Sequence, residues 1–300
     1  MELRHLRYFV AVAEEGSLTV AAERRLHTAQ PSLSRQMRDL EYEVGAQLMV
    51  RSARGIELTA AGKVFLDHAR LVLAQVEAAR AATRRAAEPP NQSFALGFLT
   101  GQEMDWLPEA MRILHDELPN MEVTVSSKYS PQLADALTRG KLDIAFMRPE
   151  AQTPDLAYRL VTKEALVVVL PSDHRLGACD AIDPHDIVGE TFISVSNTAP
   201  ALRVVINDYL ERSNLGIRPD HEVDNLAMAI SLVASTRGVA LLPAYAQNFL
   251  PWSVISRPIK GNAPTIDLVI GYNKANASPT LKLFLSRVDE LIARVSKKAR

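Results

Sequence analysis

The sequence predicts an α/β protein with an all-α N-terminal part, and three observations support this prediction. Up to residue 44 the apolar residues recur at helical spacing. Residues 59–87 contain no proline, and no glycine after Gly62, as is typical of one long helix. From residue 94 onward short apolar runs alternate with amphipathic segments, which indicates strands and helices around a mainly parallel sheet. We therefore expect domains over residues 1–58 and 93–300, joined by a helix over residues 59–88.

Length, composition and cysteine content exclude several classes of protein. The chain has 300 residues, a hydrophobic fraction of 47%, a charged fraction of 23% and a formal net charge of −1, all ordinary for a globular protein. The single cysteine, Cys179, provides no disulfide framework and fits a reducing compartment. We expect no signal peptide and no membrane span, because a basic leader and an apolar run of about 18 residues are both missing. A cytoplasmic protein is predicted.

The first 45 residues predict three helices. Apolar spacing from Leu3 predicts a helix that ends at Gly16. Ser17 is a suitable N-cap for a short helix over residues 18–24, and a third helix over residues 31–44 is stopped by Gly45. Two short helices joined by a tight turn are typical of a helix-turn-helix unit.

The third helix has two distinct faces. Its apolar positions recur three or four residues apart and predict an inward face: Leu33, Met37, Leu40 and Val44. The opposite face carries side chains that can bond base edges or phosphates in a major groove: Gln30, Ser34, Arg35 and Arg38. Six arginines against three acidic residues between positions 24 and 54 favour the same partner. An ordinary solvated face on a helical bundle would show the same pattern, so this face alone leaves both interpretations open.

Residues 47–59 predict a hairpin wing with its turn at residues 52–55. Arg51 and Arg54 would meet backbone phosphates there, which gives affinity and register but little sequence information.

The long helix predicts a dimer. It would be a rod of roughly 40 Å, and its apolar residues alternate by three and four in a short seam: Leu66, Ala69, Leu73 and Val76. The alternative is a helix that lies on its own domain. We prefer dimerisation because Leu71 and Val72 widen the apolar stripe beyond what so small a module can cover.

The C-terminal region predicts two lobes. Strands are expected over residues 94–99, 122–127, 142–147, 165–170 and 265–272, with helices between them and a terminal helix over residues 280–297. Residues 148–150 would cross into the second lobe and Thr265 would return to the first. Two crossings predict a hinged clamshell, with lobe I over about 93–161 and 265–300 and lobe II over about 162–264.

A ligand would bind between these lobes, where the carboxyl ends of the strands meet. Thr100 and Arg148 follow strands, and Ser130 precedes Pro131 as a helix cap. From the second lobe, Thr198 and Asn225 precede helices. Helix N-termini, hydroxyls and one arginine together favour a carboxylate-bearing ligand, although each serine or threonine alone is more often only a cap.

Five motifs occur in one order and spacing: Leu6-Arg-Tyr-Phe-Val-Ala-Val-Ala-Glu, Ser17 to Ala22, Gln30-Pro-Ser-Leu-Ser-Arg-Gln, Leu40-Glu and Leu58-Thr-Ala-Ala-Gly. This segment resembles the DNA-binding domain of LysR-type transcriptional regulators. The resemblance implies a winged helix-turn-helix domain, a linker helix that pairs subunits, and a two-lobed, periplasmic-binding-protein-like domain for a small effector. The family's base and phosphate contacts carry over to Gln30, Pro31, Ser34, Arg35, Arg38, Arg51 and Arg54.

For the effector, the resemblance supports Thr100, Ser130 and Arg148. Runs such as residues 167–171 and 257–264 are similar to regulators of phenylpropionate and cinnamate dioxygenase genes, which implies an aromatic carboxylate. The chain departs from the family pattern at Ala29, where a serine is common, so Thr28 is expected to cap the third helix. It also departs at Gly101, where relatives often have serine, and at Met49, usually phenylalanine.

Two other classes fit less well. An enzyme would need catalytic chemistry, but the seven histidines show no HExxH spacing, no GxSxG motif occurs, and the lone cysteine has no evident base. A transport binding protein would need a secretory signal and would lack the helix-turn-helix. The sequence therefore predicts a regulator, not an enzyme, with no cofactor, metal or membrane partner. Its expected partners are double-stranded DNA, an organic anion and a second copy of the chain, as a homodimer or homotetramer.

Overall fold

The computed structural model describes residues 1–52, 55–87 and 93–298. The chain divides into two compact units, residues 1–87 and residues 88–300.

The N-terminal unit contains four helices and one hairpin. They are α1 (Leu3–Glu15), α2 (Leu18–Val20), α3 (Gln30–Val44), β1 (Met49–Ser52), β2 (Gly55–Leu58) and α4 (Ala60–Ala87). The second helix continues as a π-helical segment, Ala21–Leu26. Ser17 caps α2 as predicted, since its hydroxyl accepts the N–H of Val20 at 3.3 Å. Gly16 and Gly45 end α1 and α3 in the left-handed conformation that favours glycine.

Two expectations for α3 are wrong. The helix starts with Ala29 as its N-cap and no side-chain hydrogen bond, so Thr28 does not cap it. Val44, expected on the inward face, is exposed, because the N-terminal core extends only from Leu33 to Leu40 along this helix.

The hairpin is attached to the helices by backbone hydrogen bonds. Strands β1 and β2 pair antiparallel, with Met49 opposite Leu58 and Ser52 opposite Gly55. The carboxylate of Glu41 on α3 accepts the N–H groups of both Leu48 and Met49, at 2.8 and 2.9 Å. These contacts fix the wing to α3 at the residues that open its first strand.

The long helix α4 packs on α1 with part of the predicted seam. Ala69 is buried with Leu6 and Val10 of α1, and Leu66 and Leu73 join the same cluster. The predicted seam is therefore largely an intramolecular contact. Other sides of α4 carry large apolar side chains that are open to solvent, among them Val64 (60% exposed), Leu71 (46%) and Val72 (44%).

The C-terminal unit alternates strands and helices. Its strands are β3 (Ser93–Leu99), β4 (Glu122–Lys128), β5 (Ile144–Met147), β6 (Leu156–Pro171), β7 (Phe192–Val195), β8 (His221–Val223), β9 (Val239–Pro243), β10 (Val254–Pro258) and β11 (Thr265–Asn273). Its α-helices are α5 (Glu103–Glu117), α6 (Ser130–Thr138), α7 (Pro200–Arg212), α8 (Leu226–Thr236), α9 (Pro279–Ser286) and α10 (Val288–Lys298). The single terminal helix predicted from the sequence is thus two helices, because the backbone turns at Arg287 (φ −100°, ψ 1°).

The sheet runs through both lobes. Lobe I has the strand order β4-β3-β5-β11-β6, and lobe II has β8-β7-β9-β6 with β10 also paired to β6. The first part of β6 pairs with β11 up to Ala165, and the part from Leu166 onward pairs with β9 and β10. The chain therefore changes lobe inside β6, and the crossing expected at residues 148–150 is wrong. A strand of 16 residues is long enough to belong to both sheets, so no loop is needed at the crossing.

Each lobe has its own apolar core, on both faces of the sheet in lobe I and in one continuous cluster in lobe II. Among the described residues, no helix is both long and apolar enough to cross a membrane.

Candidate functional sites

The outer face of α3 carries the predicted DNA-contacting side chains. Pro31, Arg35 and Arg38 are exposed, while Gln30 and Ser34 are half-buried on the same side of the helix. Arg35 lies near Asp39 one turn later, with 4.0 Å between guanidinium and carboxylate. The buried residues of α3 hold this face outward, so an amide, a hydroxyl and two guanidinium groups are presented together.

The structure describes the two wing arginines only in part. Arg51 belongs to β1, but its side chain lies outside the described part of the structure. Arg54 lies outside the described residues altogether.

A cavity of about 610 Å³ lies between lobes I and II. All five residues predicted to contact a ligand line it: Thr100, Ser130 and Arg148 from lobe I, Thr198 and Asn225 from lobe II. Most of the remaining wall is apolar or aromatic: Leu99, Tyr129, Val195, Leu202, Leu226, Ile230, Leu242, Tyr245 and Phe249. The five residues were predicted because they follow the carboxyl ends of strands, and they lie on the wall of one cavity.

Arg148 is the cation of this wall, and its charge is partly neutralised. Its side chain is only 5% exposed and forms an ion pair with Glu164. The second carboxylate oxygen of Glu164 accepts the side-chain amide of the fully buried Gln102 at 2.8 Å. The other terminal nitrogen of Arg148, Nη1, is buried and has no hydrogen-bond partner among the described residues. A buried N–H group without an acceptor is costly, so this atom favours an acceptor from a ligand.

Ser130 does not have the cap role predicted for it. Tyr129 is the N-cap of α6 and Ser130 is already helical, because the chain is still extended at Tyr129 (φ −77°, ψ 156°). The Ser130 hydroxyl instead accepts the backbone N–H of Arg148 at 2.9 Å. Its proton remains available to a second acceptor, and both Ser130 and Arg148 line the cavity.

Gly101 has a backbone conformation and surroundings that disfavour any side chain at this position. Its φ is +97°, a conformation that side chains rarely adopt. A Cβ atom at this position would also lie 2.8 Å from the ring of Tyr245 in lobe II. The turn formed by Thr100 and Gly101 is therefore a point where the lobes touch, and the Tyr245 hydroxyl donates to the Thr100 carbonyl at 3.4 Å.

The lobe II wall is organised around a carboxylate. Asp224 Oδ1 accepts the hydroxyl of Ser196 at 2.5 Å and that of Thr198 at 3.0 Å. These hydrogen bonds lower the pKa of Asp224 below its ordinary value, so it stays ionised. Asn225 Oδ1 accepts the N–H of Met228 at 2.8 Å and caps α8. Thr198 therefore lines the cavity as predicted, but its hydroxyl proton is used by Asp224 or Ser196 and not held free for a ligand carboxylate.

The sequence reading missed Glu150, Tyr245 and Phe249. Glu150 lines the cavity with one carboxyl oxygen buried and without a partner among the described residues, and burial raises its pKa. Burial raises the pKa of Tyr245 to about 12, so its hydroxyl stays neutral, and its ring lies 5.9 Å from the Arg148 guanidinium carbon. Both aromatic residues belong to the 3-10 helix Ala244–Phe249, which directly follows β9, so the strand-end criterion that found Thr100 points to this segment.

No group of three histidine, cysteine or acidic side chains suited to a metal ion occurs in residues 1–52, 55–87 and 93–298.

The fold and these sites define a ligand-binding regulator with a winged helix-turn-helix. Residues 3–63 match the bacterial regulatory helix-turn-helix protein family of LysR type, and residues 87–293 match the LysR substrate binding domain. The chain belongs to the LysR family of transcriptional regulators. It is a DNA-binding regulator and not an enzyme, and like the family it works as an oligomer with a small-molecule effector.

Particular relatives extend over the whole chain. The chain is 37% identical over 297 residues to the Hca operon transcriptional activator HcaR of Escherichia coli K12, covering 99% of this chain and all of HcaR. It is 33% identical to the regulator AlsR of Bacillus subtilis 168, covering 95% and 94% of the two chains. Among solved structures, full-length BenM is 27% identical with a TM-score of 0.60, covering 98% of this chain and 97% of BenM. The predicted family and fold class are confirmed.

Proposed function

We propose that this regulator is controlled by a small organic acid with an aromatic body, bound between the two lobes. The observation that carries the proposal is the buried, unpartnered Nη1 of Arg148, a residue that lines the cavity. A ligand carboxylate would satisfy this donor and also accept the free proton of Ser130.

The size and lining of the cavity support the rest of the assignment. A volume of about 610 Å³ lies within the range of small-molecule sites, and such sites are mostly apolar with a few polar groups that fix orientation. Tyr245 provides aromatic surface beside Arg148, and the ring of Phe249 packs edge-on against Tyr245 with the two ring centroids 6.4 Å apart. The resemblance of residues 167–171 and 257–264 to regulators of phenylpropionate and cinnamate dioxygenase genes favours the same class of effector for this chain.

Calorimetry with the full chain tests the carboxylate. We expect 3-phenylpropanoate to bind at least about tenfold more tightly than its neutral amide, because charge-assisted hydrogen bonds are roughly twice as strong as neutral ones. Arg148→Lys keeps the pair with Glu164 but loses the second arm of the guanidinium, so it should reduce this preference. Arg203→Lys, on an exposed pair with Glu222, is the matched control. Equal binding of acid and amide would contradict the proposal.

We further propose that the outer face of α3 reads the operator, with Gln30, Ser34 and Arg38 on base edges and Arg35 on base or phosphate. Pro31, Arg51 and Arg54 would fix the register on the backbone. A homodimer would read two half-sites about one helical turn apart, and a homotetramer would span a longer site. The protein would bind its operator on the chromosome, so we place it in the cytoplasm. Sequencing the DNA retained by the purified protein would test the operator assignment.

A further inference from the structure

The lobe II wall of the cavity presents hydrogen-bond acceptors rather than donors. Ser196, Thr198 and Asp224 Oδ1 form one hydrogen-bonded group, in which the two hydroxyl oxygens lie 2.6 Å apart and both hydroxyl protons are used inside the group. The second oxygen of Asp224, Oδ2, has no hydrogen-bond partner within the described part of the chain. A ligand that meets these side chains would therefore find lone pairs there.

The acidic residues on the cavity wall also favour a ligand donor over a ligand acceptor. They are Glu103, Glu150 and Asp224. The oxygens of Glu103 are already occupied by the N–H of Gly101, at 2.8 Å, and the hydroxyl of Ser127, at 3.3 Å. The unpartnered oxygen of Glu150 is buried, and burial disfavours its ionised form, whereas Asp224 is exposed and its hydrogen bonds from Ser196 and Thr198 favour the ionised form. Asp224 is therefore the carboxylate of this wall that repels an anionic group and attracts a donor to its second oxygen.

We propose that the effector carries a hydroxyl group that donates to Asp224, in addition to the carboxylate at Arg148. This inference rests on the proposed function, because it places the carboxylate on lobe I and the hydroxyl on lobe II. A neutral hydroxyl fits better than an ammonium group. Transfer of a cation into a mostly apolar cavity is expensive, and the carboxylate of Asp224 already accepts two hydrogen bonds.

The proposal gives the effector a role in closing the clamshell. A molecule held by Arg148 at one end and Asp224 at the other bridges the two lobes with polar contacts at both. An acid without the hydroxyl would fill the apolar cavity but would leave Asp224 Oδ2 without a donor from the ligand.

The test compares matched ligands on the full chain. Calorimetry would measure 3-phenylpropanoate, its 3-hydroxyphenyl and 4-hydroxyphenyl analogues, and 3-[4-(aminomethyl)phenyl]propanoate. We expect at least one hydroxylated acid to bind on the order of tenfold more tightly than the parent acid, since a hydrogen bond to an ionised acceptor replaces a solvent contact. We expect the cationic analogue to bind more weakly than that hydroxylated acid.

Two variants test whether Asp224 is the acceptor of the ligand hydroxyl. Asp224→Asn keeps an acceptor for Ser196 and Thr198 but removes the charge, and should reduce the hydroxyl advantage to about twofold or less while 3-phenylpropanoate changes little. Asp186→Asn makes the same charge change at an exposed site of lobe II that does not line the cavity, and should keep the full advantage.

If 3-phenylpropanoate binds better than its amide but hydroxylation gives no gain, the hydroxyl inference is overturned and the proposed function stands. If no carboxylate is preferred over its amide, the proposed function fails first. Tighter binding of the cationic analogue would also overturn the hydroxyl assignment.

Discussion

The contact between Glu41 and the wing gives a sharp prediction, because one carboxylate oxygen accepts two backbone N–H groups. Glu41→Ala removes the acceptor of Leu48 and Met49, at 2.8 and 2.9 Å in the native chain. Leu48 is 1% exposed, so water cannot easily replace the lost acceptor there, whereas Met49 is half-buried and partly solvated.

The magnitude follows from these two environments. A hydrogen bond to a charged group contributes about 1.5–3 kcal/mol, and an exposed one contributes less, so we expect the local opening free energy of the wing to fall by about 2–3 kcal/mol. Glu41→Gln keeps a neutral acceptor of the same length. It should cost roughly half as much, because charge-assisted hydrogen bonds are about twice as strong as neutral ones.

Amide hydrogen exchange of the full chain measures this directly. In peptides spanning residues 45–52, Glu41→Ala should speed exchange by about 30- to 150-fold, which is the loss above converted at 1.4 kcal/mol per factor of ten. Peptides from lobe II should be unchanged and provide the internal control. Native protection in Glu41→Ala would refute the role of the carboxylate. A Glu41→Gln variant as damaged as Glu41→Ala would show that the charge, and not the two hydrogen bonds, holds the wing.

Three further predictions concern the operator, the dimer and pH. Arg38→Ala should weaken specific operator binding by about 1–3 kcal/mol and relax the sequence preference in gel-shift titrations, and a variant that shifts the operator like the native chain would show that the outer face of α3 is misassigned. Leu71→Glu should separate the subunits in sedimentation experiments, because it places a carboxylate on the exposed apolar face of α4, whereas Leu73→Glu should mainly lower the melting temperature by disturbing the packing of α4 on α1. The raised pKa of Glu150 means that folding disfavours its ionised form, so stability should fall as pH rises from the ordinary carboxyl value through the raised one. Glu150→Gln should remove that fall in melting curves between about pH 4 and 8, and an unchanged pH profile would contradict the burial of this carboxyl.

The sequence alone was sufficient wherever local chemistry decides the outcome. Gly16, Ser17 and Gly45 fixed helix ends, because caps and left-handed turns depend on a single residue and its neighbours. The five residues expected to contact a ligand line one cavity for a similarly simple reason. Parallel strands of a sheet have their carboxyl ends at the same edge, so residues that follow these strands lie near one another once the strands are recognised.

Tertiary structure decided what each of those residues does. Whether Thr198 donates or accepts depends on Asp224, 26 residues away, and the free nitrogen of Arg148 exists only because Glu164 occupies the other. Periodicity showed that α4 has an apolar stripe, but only packing showed that Ala69 covers α1 while Leu71 stays open to solvent. Which group donates a hydrogen bond, and which face of a helix is buried, depend on partners distant in the chain. Neither can be inferred from the spacing of neighbouring residues.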